Sequence, residues 1–248
     1  MRKHLIWVLG LALALASVGV ASAVPNTQTI DATVKPKKLP AGGAGKPIGL
    51  TVDVSSTNSG NPNQVPNPTT RARVDFDKDV KYQQKGFPTC DSSGFNSATT
   101  TAQATNQCGD AKIGTGSAGI QVPTATGAPP LQVAASVLVF NGKGKGVILF
   151  TYNSLSGATV LPGKIKTSDA GGPYGKMLDV TVPPLAGGTA VIQQFKASVK
   201  KTYNSGGKKR SILSSTCKDS KLKFQARFTD NLGQLASGKD TQSCTKAG

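Results

Sequence analysis

Glutamate is absent from all 248 residues, and the single histidine and single tryptophan, His4 and Trp7, fall within the first 23. Histidine is the commonest general base near neutral pH and the commonest metal ligand. Its absence beyond residue 4 removes Ser-His and Cys-His nucleophiles and most zinc chemistry together. The missing glutamate bears on architecture, since helical surfaces draw on it while strands and turns do not. No apolar run after residue 23 approaches the ~20 residues of a membrane-spanning helix.

What is present begins with the layout of a secretion signal. Arg2, Lys3 and His4 form a basic start, an apolar run follows from Leu5 to Val20, and Ala21, Ser22 and Ala23 supply a small-residue cleavage pattern. The sequence therefore predicts a signal peptide over residues 1–23 and a single exported domain over 24–248, soluble or peripherally attached, and secreted or associated with the cell envelope. No cysteine stands at the cleavage point to carry a lipid. Setting Arg2 and Lys3 aside leaves 27 of the 29 basic residues against 12 aspartates, a formal +15. An excess of that size favours anionic surroundings and colloidal solubility alike.

Four cysteines, Cys90, Cys108, Cys217 and Cys244, all fall in the exported part, where thiols oxidise. Three pairings satisfy the count. Proximity favours Cys90 with Cys108 and Cys217 with Cys244, each closure stabilising by ~3 kcal/mol on the chain-entropy view. The spacings do not match a zinc site, and no cofactor or metal is expected.

Period-two alternation in segments of five to nine residues, broken by Gly, Pro, Asn and Ser clusters, predicts antiparallel strands. Ile48 to Val54 is the first clear strand, and a turn-rich loop from Ser55 follows it. In the next segment Ala72, Val74, Phe76, Val80 and Tyr82 share a core face. Arg71, Arg73, Asp75, Asp77, Asp79 and Lys81 share the opposite, solvent face. The stretch between Cys90 and Cys108 predicts a short helix ended by Gly109 in a left-handed conformation. SVLVF and VILFTY, joined by NGKGKG, predict a hairpin of two central strands. Thr189 to Tyr203 predicts a long strand turning at NSGG, and Leu222, Phe224, Ala226 and Phe228 predict one inward face. Many short strands with at most one short helix besides the signal imply an all-β fold, an antiparallel β-sandwich with Gly/Pro-rich loops.

The segments TTRARVDFDKD, KGFPTC, TTTAQATNQCGDAKIGTG, PYGKMLDVTVPPLAGG and KKRSILSSTCKDSKLKFQARFTD resemble a group of uncharacterised exported β-rich proteins of high-GC Gram-positive bacteria. That resemblance covers most of the exported chain. It implies a signal peptide and an extracytoplasmic compartment, and it carries over no catalytic or binding residue.

Several motifs fail on their own chemistry. Asp75, Asp77 and Asp79 open like a calcium loop, but Val80 and Gly86 stand where an EF-hand needs glycine and a bidentate acid. The glycines and lysines from Gly142 to Gly146 lack the spacing of a phosphate-binding loop and fit a hairpin turn. Ser-x-x-Lys recurs at Ser198, Ser205, Ser215 and Ser220 without its K-T-G or S-D-N companions. The chain is therefore read as non-enzymatic, with an aspartate-based hydrolase as a remote alternative.

One functional feature remains, the cationic last third. Twelve basic residues between Lys196 and Lys246 face three aspartates. Alternation groups Lys196 with Lys200, and Lys221 with Lys223 and Arg227, while Lys208, Lys209 and Arg210 cluster beside the turn. If these faces adjoin, they form a patch suited to anionic envelope polymers or lipid head groups, because lysine serves diffuse attraction better than bidentate recognition. Sequence-specific nucleic-acid binding is not expected. The alternative is a structural or protein-partner module of the envelope whose lysines protect edge strands.

Overall fold

The computed structural model describes residues 26–61, 64–124 and 128–247, so the expected signal peptide and its cleavage point lie outside the described residues. In chain order the first strands are β1 (Asn26–Lys35), β2 (Lys38–Pro40), β3 (Lys46–Pro47), β4 (Gly49–Asn58), β5 (Thr69–Asp77) and β6 (Val80–Tyr82), followed by helix α1 (Thr101–Cys108). A meander follows: β7 (Lys112–Val122), β8 (Leu131–Asn141), β9 (Gly146–Asn153), β10 (Gly157–Thr167) and β11 (Tyr174–Thr181). The chain ends with β12 (Val191–Val199), β13 (Thr202–Ser205), β14 (Lys208–Ser211), β15 (Leu213–Ser215), β16 (Lys221–Asp230), β17 (Leu235–Ser243) and β18 (Thr245–Ala247).

Eleven strands hydrogen-bond into one sheet in the order β1-β4-β12-β7-β8-β9-β10-β11-β5-β16-β17. Each of its ladders is antiparallel. Its outer strands, β1 and β17, return to each other. The Ala32 N–H donates to the Asp240 carboxylate at 2.8 Å, and a Cβ on Gly238 would stand 2.8 Å from the Gln28 carbonyl oxygen. The antiparallel, strand-rich fold expected from the sequence is present, but in place of two stacked sheets a single sheet curls until it is nearly closed into a barrel. Alternation reports which face of a strand is buried; it does not report how the sheet bends. Small residues let neighbouring strands crowd together in such a wall, and β12 passes so close to Gly114 and Gly116 of β7 that a Cβ on either would meet a β12 carbonyl oxygen.

One end of the barrel is sealed. A three-stranded sheet, β3-β15-β6, lies across it, and Leu39, Ile48, Ile212 and Leu213 are buried there. The Cys217–Cys244 disulfide ties this plug to the end of β17. A second apolar cluster lies outside the wall. Leu138, Phe140, Ile148 and Phe150 point outward from β8 and β9 and are covered by α1, Phe95 and the Cys90–Cys108 disulfide. This double coverage explains why SVLVF and VILFTY are continuously apolar, and the predicted hairpin of central strands is found there. Both cysteine pairs follow proximity, as expected.

Helix α1 starts with a capping box, in which Thr100 and Gln103 satisfy each other's backbone N–H groups. The predicted left-handed glycine is corrected: Gly109 has φ −57° and leads into a 3-10 turn over Gly109–Ala111 that buries Ala111. Strand β1 was not predicted, although its burial alternates along its whole length. Its inward positions include Asn26 and Gln28, so the alternation is not one of apolar with polar residues. Likewise β4 runs past Val54 to Asn58, because Ser56 faces inward where an apolar residue would have signalled continuation.

Candidate functional site

The barrel interior is not filled. Inward side chains of β4, β5 and β9 to β12 surround a cavity of about 320 Å³, within the size range of small-molecule sites. Val52, Val74, Ile165, Leu178, Phe195 and Val199 face it and are only partly buried, although they point inward from a barrel wall. In a packed core such side chains would be sealed to interior density. Tyr82 and Leu213 close the sealed end, and Tyr82 donates to Asn141 at 2.8 Å. At the opposite end the rim is made by Pro68 and Thr69 at the start of β5, Pro183 to Leu185 after β11, and Asn231 after β16.

Among the described residues, none of the side chains lining the cavity is charged. One buried polar pair faces it. Gln28 and Ser56, directly opposite each other on β1 and β4, are 6% and 4% exposed. The Gln28 amide donates to Ser56 Oγ at 2.7 Å, while Gln28 Oε1 has no hydrogen-bond partner among the described residues. Sequence reasoning missed this lumen. Its wall reads as ordinary core, and only the small inward residues Ala72, Ala118 and Ala197, together with inward polar residues near one end, set it apart.

The outer wall carries the charge. Asp75, Asp77 and Asp79, predicted on a solvent face, are instead 0%, 5% and 3% exposed. Asp75 is gripped by Arg227 and by Ser168 Oγ at 2.6 Å. Asp77 accepts the N–H groups of Asp79 and Lys223, and Asp79 accepts the Lys218 N–H at 2.9 Å. The neighbouring strand β16 and the loop after β10 cover this row, so its carboxylates act as internal ties. Among the described residues no cluster of three or more acid, thiol or imidazole side chains suits a metal ion.

The basic residues do not form one patch. Around the wall, β4, β1 and β17 separate β12 from β16, about 20 Å at the usual strand spacing. Asp31 and Asp53 occupy the intervening face in register. Lys196 is paired with Asp53 at 3.2 Å, and Arg227 is paired with Asp75 and Asp169. Lys200, Lys209 and Arg210 are exposed near the sealed end, Lys221 and Lys223 are exposed on β16, and the side chain of Lys208 lies outside the described residues. The condition for a single patch was that these faces adjoin; β12 and β16 lie apart in the strand order, and Lys196 and Arg227 are held in ion pairs.

Comparison with protein families, with curated proteins and with solved structures finds no match to this chain. The reading of the site therefore rests on its geometry. Among the described residues no helix is long and apolar enough to cross a membrane.

Asp179 on β11 accepts Arg71 Nε at 2.7 Å and Lys166 Nζ at 2.6 Å. The Arg71 hydrogen bond first, and then Lys166, hold its carboxyl well below the usual carboxylate range. Its contribution to stability is complete above the unfolded pKa of ~3.9 and drains away as pH falls toward the lower folded value. Asp77 works in the opposite sense, since burial raises its pKa and protonation on acidification relieves that cost. Urea midpoints measured from pH 7 down to pH 2 are expected to fall in the native protein below about pH 4. The fall is expected to be shallower in Asp179→Asn; an unchanged slope would remove Asp179 from the acid response.

Proposed function

We propose that this protein is a binding protein for an apolar small molecule, held in the barrel lumen outside the cytoplasm. The uncharged, incompletely filled lumen, sealed at one end and rimmed by loops at the other, carries this reading. Two disulfides fit an oxidising compartment. Taking a heavy atom as roughly the volume share of a water, ~30 Å³, the space suits a body of about ten carbons. At ~0.8 kcal/mol per methylene removed from water, such a body gains about 8 kcal/mol before the cost of its lost freedom. Affinity no tighter than micromolar follows.

The test is titration of the protein with 1-aminonaphthalene, a fluorophore of the size the space admits, whose emission shifts to the blue in apolar surroundings. One saturable site per chain is expected. Ala72→Phe and Ala197→Phe, on opposite walls of the lumen, place a ring in the space and are expected to weaken binding at least tenfold while the thermal midpoint holds or rises. Unchanged binding in both variants, or none in the native protein, overturns the reading.

A second reading, docking to anionic envelope polymers, keeps one supporting observation. Lys200, Lys209 and Arg210 are exposed at the sealed end and carry no ion pair among the described residues. Salt-sensitive retention on wall polymers, lost on changing Lys209 and Arg210 to Ser, would favour it.

A further inference from the structure

We infer that the lumen selects a neutral ligand carrying a hydroxyl group, read by the Gln28–Ser56 pair, and rejects the corresponding carboxylate. This inference rests on the lumen being the binding site. Its starting point is an unmet acceptor: Gln28 Oε1 is buried in the cavity wall without a donor. A buried unpaired carbonyl carries a desolvation penalty, and a native protein keeps one where something else supplies the donor. Ser56 Oγ is already the acceptor of the Gln28 amide hydrogen, which leaves its own O–H free to donate. The two side chains therefore present one acceptor and one donor side by side. A hydroxyl group is both donor and acceptor, so it satisfies the two at once.

The reverse assignment of the Gln28 amide changes the partner little. With oxygen and nitrogen exchanged, the amide oxygen accepts from Ser56 and the amide N–H is left to donate to a hydroxyl oxygen. A carboxylate fits neither arrangement well. In the first it has no proton for Gln28 Oε1, and in both no lysine or arginine among the described residues lines the cavity to offset its desolvation. The pair lies toward the rim: on the preceding inward position of β1, Asn26 Nδ2 donates to the Asn67 carbonyl at 2.9 Å beside Pro68. A ligand would thus enter with its chain toward Tyr82 and its hydroxyl near the mouth.

The experiment is displacement of bound 1-aminonaphthalene at pH 8 by 1-decanol, decyl methyl ether and decanoate. Decanol is expected to compete about fivefold or more better than the ether, which keeps the acceptor and loses the donor, and at least tenfold better than decanoate. In Gln28→Leu the preference for alcohol over ether is expected to vanish, each competitor being read against that variant's own affinity for the probe. Ser56→Ala, a smaller change, is expected to reduce it without loss of the thermal midpoint. Equal displacement by alcohol and ether, or a preference for decanoate, overturns this inference alone if the probe binds and the two Phe variants exclude it. Absence of probe binding overturns the lumen reading and this inference together.

Discussion

Arg227→Met is expected to destabilise the protein by about 3–5 kcal/mol, the range for a buried ion pair broken from one side. The cause is the partner left behind. Asp75 is fully buried and takes two hydrogen bonds from one guanidinium, at 2.8 Å from Nε and 3.0 Å from Nη2. Arg227 also bonds Asp169, so one side chain ties β16 to β5 and to the loop after β10. Met keeps much of the length of the alkyl stem and removes the charge, the fork and the Nη2 contact with Met177 Sδ. Lysine is a poor substitute, because a single ammonium cannot reproduce the paired geometry. The control is Asp75→Asn combined with Arg227→Met, which removes the stranded charge and is expected to recover a large part of the loss; the non-additivity measures the coupling. Urea midpoints decide it. A loss below about 1 kcal/mol, typical of an exposed pair, would return Arg227 to the surface and reopen its assignment to an anion-binding face.

That result also shows where sequence reasoning reached and where it stopped. The inward row Leu222, Phe224, Ala226 and Phe228 was readable because one face of β16 is apolar throughout, and all four are buried. The outward row of β5 was equally regular, yet alternation cannot tell solvent from a covering loop. Arg71, Arg73 and the aspartates looked like a balanced exposed face, and the cover over them comes from residues 93 to 152 positions away, as in the Ser168–Asp75 and Arg227–Asp75 bonds. The cysteine pairs were legible because chain proximity and spatial proximity coincide in two short loops. Strand order was not: β12 sits between β4 and β7, a placement fixed by pairing partners remote in sequence. The lumen was hidden for a related reason. Val52, Val74 and Phe195 have the residue types of core, and whether facing walls meet or leave a gap depends on the curvature of the sheet.

Curvature has its own sequence determinant, and Gly116→Ala is expected to expose it. A Cβ on Gly116 would collide with the Lys196 carbonyl oxygen of the paired strand, and one on Gly114 with the Ser198 carbonyl oxygen. These are backbone atoms that no rotamer change can move aside, so β7 and β12 must part or unbend. Overpacking of this kind costs about 3 kcal/mol or more, and the loss is expected as a lowered urea midpoint. Gly119, three residues on in the same strand, is the internal control. Its Cβ would rest 3.7 Å from Gln194 Cβ, ordinary contact, so Gly119→Ala is expected to be neutral or to stabilise by up to ~1 kcal/mol through the unfolded chain. If both substitutions cost the same, the bend is not centred on Gly116. If only Gly116→Ala is costly, and its surviving folded fraction also loses the apolar probe, one missing methyl group links sequence to function: it lets β7 bend, the bent sheet approaches closure, and the incomplete filling of that closed wall leaves the space a ligand occupies.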